Sequence, residues 1–211
     1  MDLSWMEYLI PGKIEHTEQD LAILKARKKA LDKTRIVEYL TTSKEMELLS
    51  ELQSDFAEMI IKTLNEGTRQ GLFLYLFCGG RTFKQQADLY KLGRDELGNI
   101  VNKKLIVTYA KSGDSWHNYF LAADIVMNMG RRPEIYPTWK DAIDANGDGL
   151  NDWEQLGEIA KSYGLEWGGD FKTLIDVPHV QYHKGIASIT EAREIYKVND
   201  IMGIWQKIEA A

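Results

Sequence analysis

The sequence predicts an α+β domain, a small antiparallel sheet flanked by helices. Strand-length apolar runs occur at Leu72–Cys78, Leu121–Met127 and Val180–Tyr182. Helical periodicity marks long stretches ahead of the first run and a shorter one at Trp153–Tyr163. Strands and helices do not alternate regularly, which argues against a doubly wound parallel sheet.

The elements follow in order. Residues 1–16 are mixed, with a turn signal at Pro11-Gly12. Glu18 to about Leu40 reads as a helix with Leu21, Leu24, Lys28, Leu31 and Arg35 on one face. Residues 1–45 are therefore expected to form an N-terminal helical extension. Thr42 can cap the next helix, with Glu45 as its capping-box partner. That helix should run to about Asn65, because Leu48, Leu49, Leu52, Phe56, Met59, Ile60 and Leu64 form an apolar stripe. Glu66-Gly67 should end it. Leu72–Cys78 reads as a buried strand, and Thr82–Leu92 as a short helix closed by Gly93. Residues 94–107 read as loop, with a short strand near Ile106-Val107. In the Trp153–Tyr163 helix, Trp153, Leu156, Ile159, Ala160 and Tyr163 share a face, and Gly164 supplies its stop. The main domain is expected over residues 46–185. The tail, 186–211, is expected to be helical and is too short to fold alone.

Composition narrows the function. The chain has 211 residues, 44% hydrophobic and with six tryptophans, enough for a sizeable core. No stretch approaches the roughly 18 apolar residues of a membrane span, so membrane insertion is not expected. A net charge of −6 argues against general affinity for nucleic acid. Residues 24–35 are locally basic, which a solvated helix face explains. The N-terminus lacks the basic and apolar regions of a signal peptide, and the single cysteine, Cys78, fits synthesis in a reducing cytoplasm.

Two short patterns carry chemistry. Ser115-Trp-His117 is followed by Asp124, and Asp176-Val-Pro by His179. Two imidazoles and a carboxylate are ligands that zinc accepts, and three protein ligands leave a fourth position for water. Asp176, three residues before His179, could take a proton from bound water and return it to a leaving amine. His183, four residues after His179, would share its face in a regular strand and is the rival ligand.

A second pattern suggests calcium. Asp144, Asn146, Asp148 and Asp152 fall at loop positions 1, 3, 5 and 9, Gly149 gives the sharp turn, and Leu150 offers its carbonyl. Gln155 stands where a bidentate Glu is usual, which should weaken the site. The alternative is an Asx-rich turn that caps the following helix. An ion here would order the segment leading to Glu166-Trp167-Gly168.

The ordered motifs resemble those of the zinc D-alanyl-D-alanine carboxypeptidase family, and in particular its L-alanyl-D-glutamate endopeptidase branch, which includes many phage endolysins. Ser115-x-His117 with Asp124, and Asp176-x-x-His179, are similar to its paired metal motifs. Asp176 stands where the family's carboxypeptidases typically have Glu. Cys78-Gly79-Gly80-Arg81-Thr82-Phe83, Gln86, Leu89-Tyr90, Gly93-Arg94, Thr108, Ala110-Lys111, Gly113 and the Gly164–Phe171 segment fall in family order. The likeness covers roughly residues 48–183.

The resemblance implies a zinc site on the sheet, held by His117, Asp124 and His179. It implies Asp176 as general base and acid, and Arg81 as the holder of a substrate carboxylate or polariser of the scissile carbonyl. It further implies hydrolysis of peptidoglycan stem peptides, at the L-Ala-D-Glu bond, by a monomeric lysin. Such a lysin would be made in the bacterial host cytoplasm and act on the wall after release. The alternatives are a D,D- or L,D-carboxypeptidase on the same scaffold and a non-catalytic wall-binding relative. Two positions depart from the pattern. Phe120 stands where the first motif usually has Gly, so that either the loop adapts or the metal site suffers. Gly80 stands where the family often has Tyr, which would open the cleft.

Overall fold

The computed structural model describes residues 42–130, 135–140 and 142–211. The helix expected over Glu18–Leu40 lies outside the described residues. The chain divides into two compact units. Among the described residues, one unit comprises 42–79 and 122–182, and the other 80–121 and 183–211.

The first unit contains the sheet. Strand β1 (Leu74–Cys78) is buried along its whole length, as its unbroken apolar run requires. It pairs antiparallel with β2 (Ala122–Asn128), which also pairs with the short β3 (Pro137–Thr138). Beyond β2 come β5 (His179–Gln181) and β4 (Glu166–Trp167), giving the order β1-β2-β5-β4. A register shift between Leu76 and Cys78 places Cys78 opposite Asp124. The α+β class and the antiparallel sheet agree with the sequence expectation.

The helix expected from Thr42 to Asn65 is two helices, α1 (Ser43–Glu51) and α2 (Ser54–Arg69). The chain extends at Leu52 (ψ 157°), and the side chain of buried Gln53 accepts a hydrogen bond from Phe56 N at 2.9 Å to start α2. Leu48, Leu49, Leu52, Phe56 and Ile60 are buried on both sides of the break, so the apolar stripe gives no sign of it. Gly67 does not end α2. A Cβ there would lie 2.3 Å from Leu74 Cδ1, so this glycine admits the first strand against the helix.

The capping box at Thr42 forms as expected. Its Glu45 is fully buried, and while one carboxylate oxygen bonds Thr42 N at 2.8 Å, the other accepts from Leu76 N at 3.1 Å. One acidic side chain thus satisfies a helix end and a strand amide that would otherwise be buried without a partner. Helix α4 will denote Asp152–Ser162, which Asn151 caps. Gly157 on this helix faces the Trp167 ring, where a Cβ would meet ring carbons at 2.4 Å.

The second unit contains α3 (Phe83–Lys91), started by a capping box between Thr82 and Gln85 and ended before Gly93 (φ 73°). No strand forms at Ile106-Val107, where the chain leaves a 3-10 turn over Lys103–Leu105. Its last helix, α5 (Ile189–Glu209), has a kink at Asp200 (φ 53°, ψ −155°). Phe83, Tyr119 and Tyr196 form an aromatic cluster, with the Phe83 and Tyr196 ring centres 4.7 Å apart. Burial pushes the Tyr119 hydroxyl up to about 12, and it donates to Gly113 O at 2.9 Å.

Glu51, at the end of α1, is pushed up to about 8 by burial and by the neighbouring charge of Glu47. Its folded-state pKa is thus raised, so its contribution is fully present below the unfolded value near 4.5 and is lost as pH rises through about 8. Glu51→Gln should therefore raise the melting temperature increasingly between pH 5 and pH 8, with a constant gain above. Thermal unfolding across that range checks this; a gain independent of pH would exclude the linkage.

Candidate metal centre

Asp124 lies in central β2, and His179 is the first residue of β5. The two are direct register partners across the antiparallel pair. His179 Nδ1 and Asp124 Oδ1 are 3.4 Å apart. Two ligands bound tetrahedrally at zinc distances of about 2.0–2.1 Å would be separated by roughly 3.3–3.4 Å. This pair therefore fits adjacent positions on one zinc ion. Both side chains are largely buried.

The other ring nitrogen of His179, Nε2, lies 3.1 Å from Gln181 Oε1, and Gln181 Nε2 in turn donates to Glu166 Oε2 at 2.9 Å. An acceptor at Nε2 fixes the proton there and leaves the Nδ1 lone pair for a metal, the arrangement by which outer partners orient ligating histidines. Burial acts to lower the His179 pKa. The hydrogen bond and charge of Asp124, the charge of Asp176 and the Gln181 contact outweigh it and hold the imidazole above its ordinary value. The two carboxylates create a potential that favours a cation.

Asp176 is held beside His179 by a tight turn, in which His179 N donates to Asp176 O at 3.0 Å and Asp176 N to Gly168 O at 3.0 Å. Gly168 is required, since a Cβ there would stand 2.3 Å from Asp176 O. Trp167 Nε1 donates to Val177 O at 2.7 Å and pins the same segment. On the opposite side of β2, Cys78 Sγ lies within 4.8 Å of a carboxylate oxygen of Asp124. Cys78 is buried and is a further donor near the metal position.

His117 lies in the second unit, on a 3-10 turn over Trp116–Tyr119, and is 2% exposed. Ser115 caps this turn through its hydroxyl, so its role is to hold the turn. Arg81 N donates to His117 O at 2.9 Å, and Asn118 Nδ2 donates to Arg81 O at 3.0 Å and Thr82 O at 3.2 Å. The backbone of Arg81 is thereby clamped to that of His117. Its guanidinium reaches Gln86 Oε1 at 3.3 Å, and Gln86 is fixed by Thr108 and Ala110. His183 stacks on Trp116 at 4.3 Å and places Nδ1 2.9 Å from Ile186 O. Strand β5 stops at Gln181, so the regular strand that would carry His183 onto the His179 face does not form.

The two departures from the family pattern are related. Phe120 takes the left-handed conformation (φ 59°, ψ 33°) that a glycine would take there. Its ring fills the space over Gly80, where a Cβ would lie 2.0 Å from a Phe120 ring carbon. The far side meets Trp205 edge-on, with ring centres 6.1 Å apart. Left-handed backbone at a non-glycine residue costs about 1–2 kcal/mol, and an aromatic pair returns about 0.5–1.5 kcal/mol beyond its buried area. The lack of a side chain at Gly80 makes room for the Phe120 ring.

Residues 108–182 match the family model described as D-alanyl-D-alanine carboxypeptidase. That segment includes His117, Asp124, Asp176 and His179. The chain is also 42% identical, over 112 residues, to the peptidoglycan L-alanyl-D-glutamate endopeptidase CwlK of Bacillus subtilis (strain 168). This match spans 53% of the chain and 62% of CwlK, under two thirds of that relative. Among solved structures, the Serratia marcescens L-Ala D-Glu endopeptidase ChiX is similar at 20% identity and TM-score 0.45, over 70% of this chain and 92% of ChiX. The LD-carboxypeptidase LdcB is similar at 19% identity and TM-score 0.46, over 81% of this chain and 75% of LdcB.

Gly80→Ala should destabilise the protein by about 1–3 kcal/mol through overpacking against the Phe120 ring. In a Phe120→Gly background most of that cost should vanish, a coupling of at least about 1 kcal/mol. Denaturant unfolding of the four proteins measures it; additive costs would show that the two positions are independent.

Proposed function

We propose that this chain is a zinc-dependent peptidoglycan endopeptidase that hydrolyses stem peptides at the L-Ala-D-Glu bond. The observation that carries the reading is the buried Asp124–His179 pair at 3.4 Å with Asp176 held beside it. The match of residues 108–182 to the D-alanyl-D-alanine carboxypeptidase family model and the likeness to CwlK support the substrate class.

On this reading His117, Asp124 and His179 hold the zinc. The ion, when bound, polarises the scissile carbonyl and lowers the pKa of water. Gln181 keeps the His179 proton on Nε2, so that Nδ1 stays available. Asp176 accepts the proton of the attacking water and delivers it to the departing amine of D-Glu. Arg81 offers a guanidinium fork to a substrate carboxylate or to the scissile carbonyl. Calcium would touch none of the reacting groups; the 144–155 loop would take it as a second, separate ion. The enzyme would act on bacterial walls in the manner of a phage endolysin. No helix among the described residues is long and apolar enough to cross a membrane.

Muropeptides released from purified sacculi and analysed by mass spectrometry provide the test. New D-Glu amino termini are expected; release of a terminal D-amino acid instead would identify a carboxypeptidase, and no new product a wall-binding relative. Asp176→Asn should lower kcat by about 10²–10⁴-fold while leaving zinc content unchanged. His179→Ala should lose bound zinc as well as activity, read by metal analysis of the purified protein. Retention of full zinc in that variant would remove His179 from the ligand set.

A further inference from the structure

The Asp144–Gln155 segment contributes nothing to the peptidase chemistry above. We propose that it binds one calcium ion through the side chains of Asp144, Asn146, Asp148 and Asp152 and the carbonyl of Leu150. Oxygens at alternating loop positions suit a flexible cation of six to eight ligands, and Gly149 (φ 86°) supplies the sharp turn.

Loop pattern alone would be satisfied by an Asx turn, and Asp144 does accept hydrogen bonds from the amides of Gly147, Asp148 and Gly149. The deciding group is Asp152. It is fully buried, and its Oδ2 accepts from Ala145 N at 3.0 Å, which turns the carboxylate into the loop. Its Oδ1 is buried and has no hydrogen-bond partner among the described residues. A buried acceptor left without a donor is costly, and more so when charged. Burial pushes the Asp152 carboxyl above its ordinary range. The Ala145 amide opposes this, while the charges of Asp144 and Asp148 add to it. A divalent cation among the three carboxylates removes both the missing contact and the mutual repulsion.

Gln155, at the closing position of the loop, repeats the pattern. Its Nε2 donates to Asp148 Oδ2 at 2.6 Å, and its Oε1 is buried without a partner. Because a neutral amide replaces the usual bidentate carboxylate, the affinity should be modest, with Kd on the order of 10⁻⁴–10⁻³ M, the range of extracellular modules. Glu66, Glu154 and Glu158 line the adjoining groove and add to the negative potential.

The loop is coupled to the peptidase segment by rigid parts. Asp152 and Trp153 open α4, with Asp152 N bonded to Ile143 O and Trp153 Nε1 to Lys140 O, both at 2.7 Å. Gly157 on α4 receives the Trp167 ring, and Trp167 Nε1 holds Val177 O, the residue after Asp176. An ion that fixes the start of α4 therefore steadies the 164–179 segment.

Isothermal titration of the full chain with calcium chloride, and separately with magnesium chloride, tests the site. One calcium per chain is expected, with magnesium at least tenfold weaker. Asp148→Ala, at an exposed position, should weaken calcium binding at least tenfold, and Gln155→Glu should tighten it. No binding at 10-fold above about 10⁻³ M, or equal binding by the parent and Asp148→Ala, would overturn the proposal. Hydrogen exchange of peptides covering 164–179 reads the coupling without reference to catalysis. Slower exchange with calcium is expected, and protection confined to 144–155 would overturn the coupling.

Discussion

The antiparallel pairing of β2 with β5 is the constraint on which the candidate metal centre depends. Only three register pairs hold it, and one of them is Asp124 with His179. A slip of one residue would turn His179 to the opposite face of the sheet and dissolve the pair. Such a short strand cannot fix its own register. Trp167 paired with Val180, the Gly168 approach to Asp176 O, and the Trp167 side chain on Val177 O supply what three ladder pairs do not. Trp167 and Gly168 are thus part of the site's precision.

Much of this was legible in the sequence. The buried strand β1, the capping box at Thr42, the short helix closed by Gly93, and the α4 helix with its glycine stop all rest on local rules, and local rules are what a sequence displays directly. The α1–α2 break was hidden because the stripe of apolar residues continues through it. Gly67 misled because a glycine in a helix is the same letter whether it ends the helix or admits Leu74 against it. Tertiary packing decided between the two uses.

At the site, Asp124 was placed on its strand, and Asp176 was expected to stand beside His179, where the turn between them holds it. Gln181 was missed, although its position two residues after His179 put it on the same face of a strand, a signal that was present. Cys78 could not have been found in this way, since its place opposite Asp124 arises from the register shift in β1. His183 was weighed as a ligand on the assumption of a regular strand that ends two residues earlier.

The exchange between positions 80 and 120 restricts the route by which such a sequence can arise. Starting from the family's usual pair, a phenylalanine arriving first at position 120 would meet a large aromatic side chain already over position 80. Losing that side chain first leaves only a vacancy, which a later phenylalanine can occupy against Trp205. One order passes through a collision and the other through a void, so the two positions form a unit in which neither residue is neutral without the other.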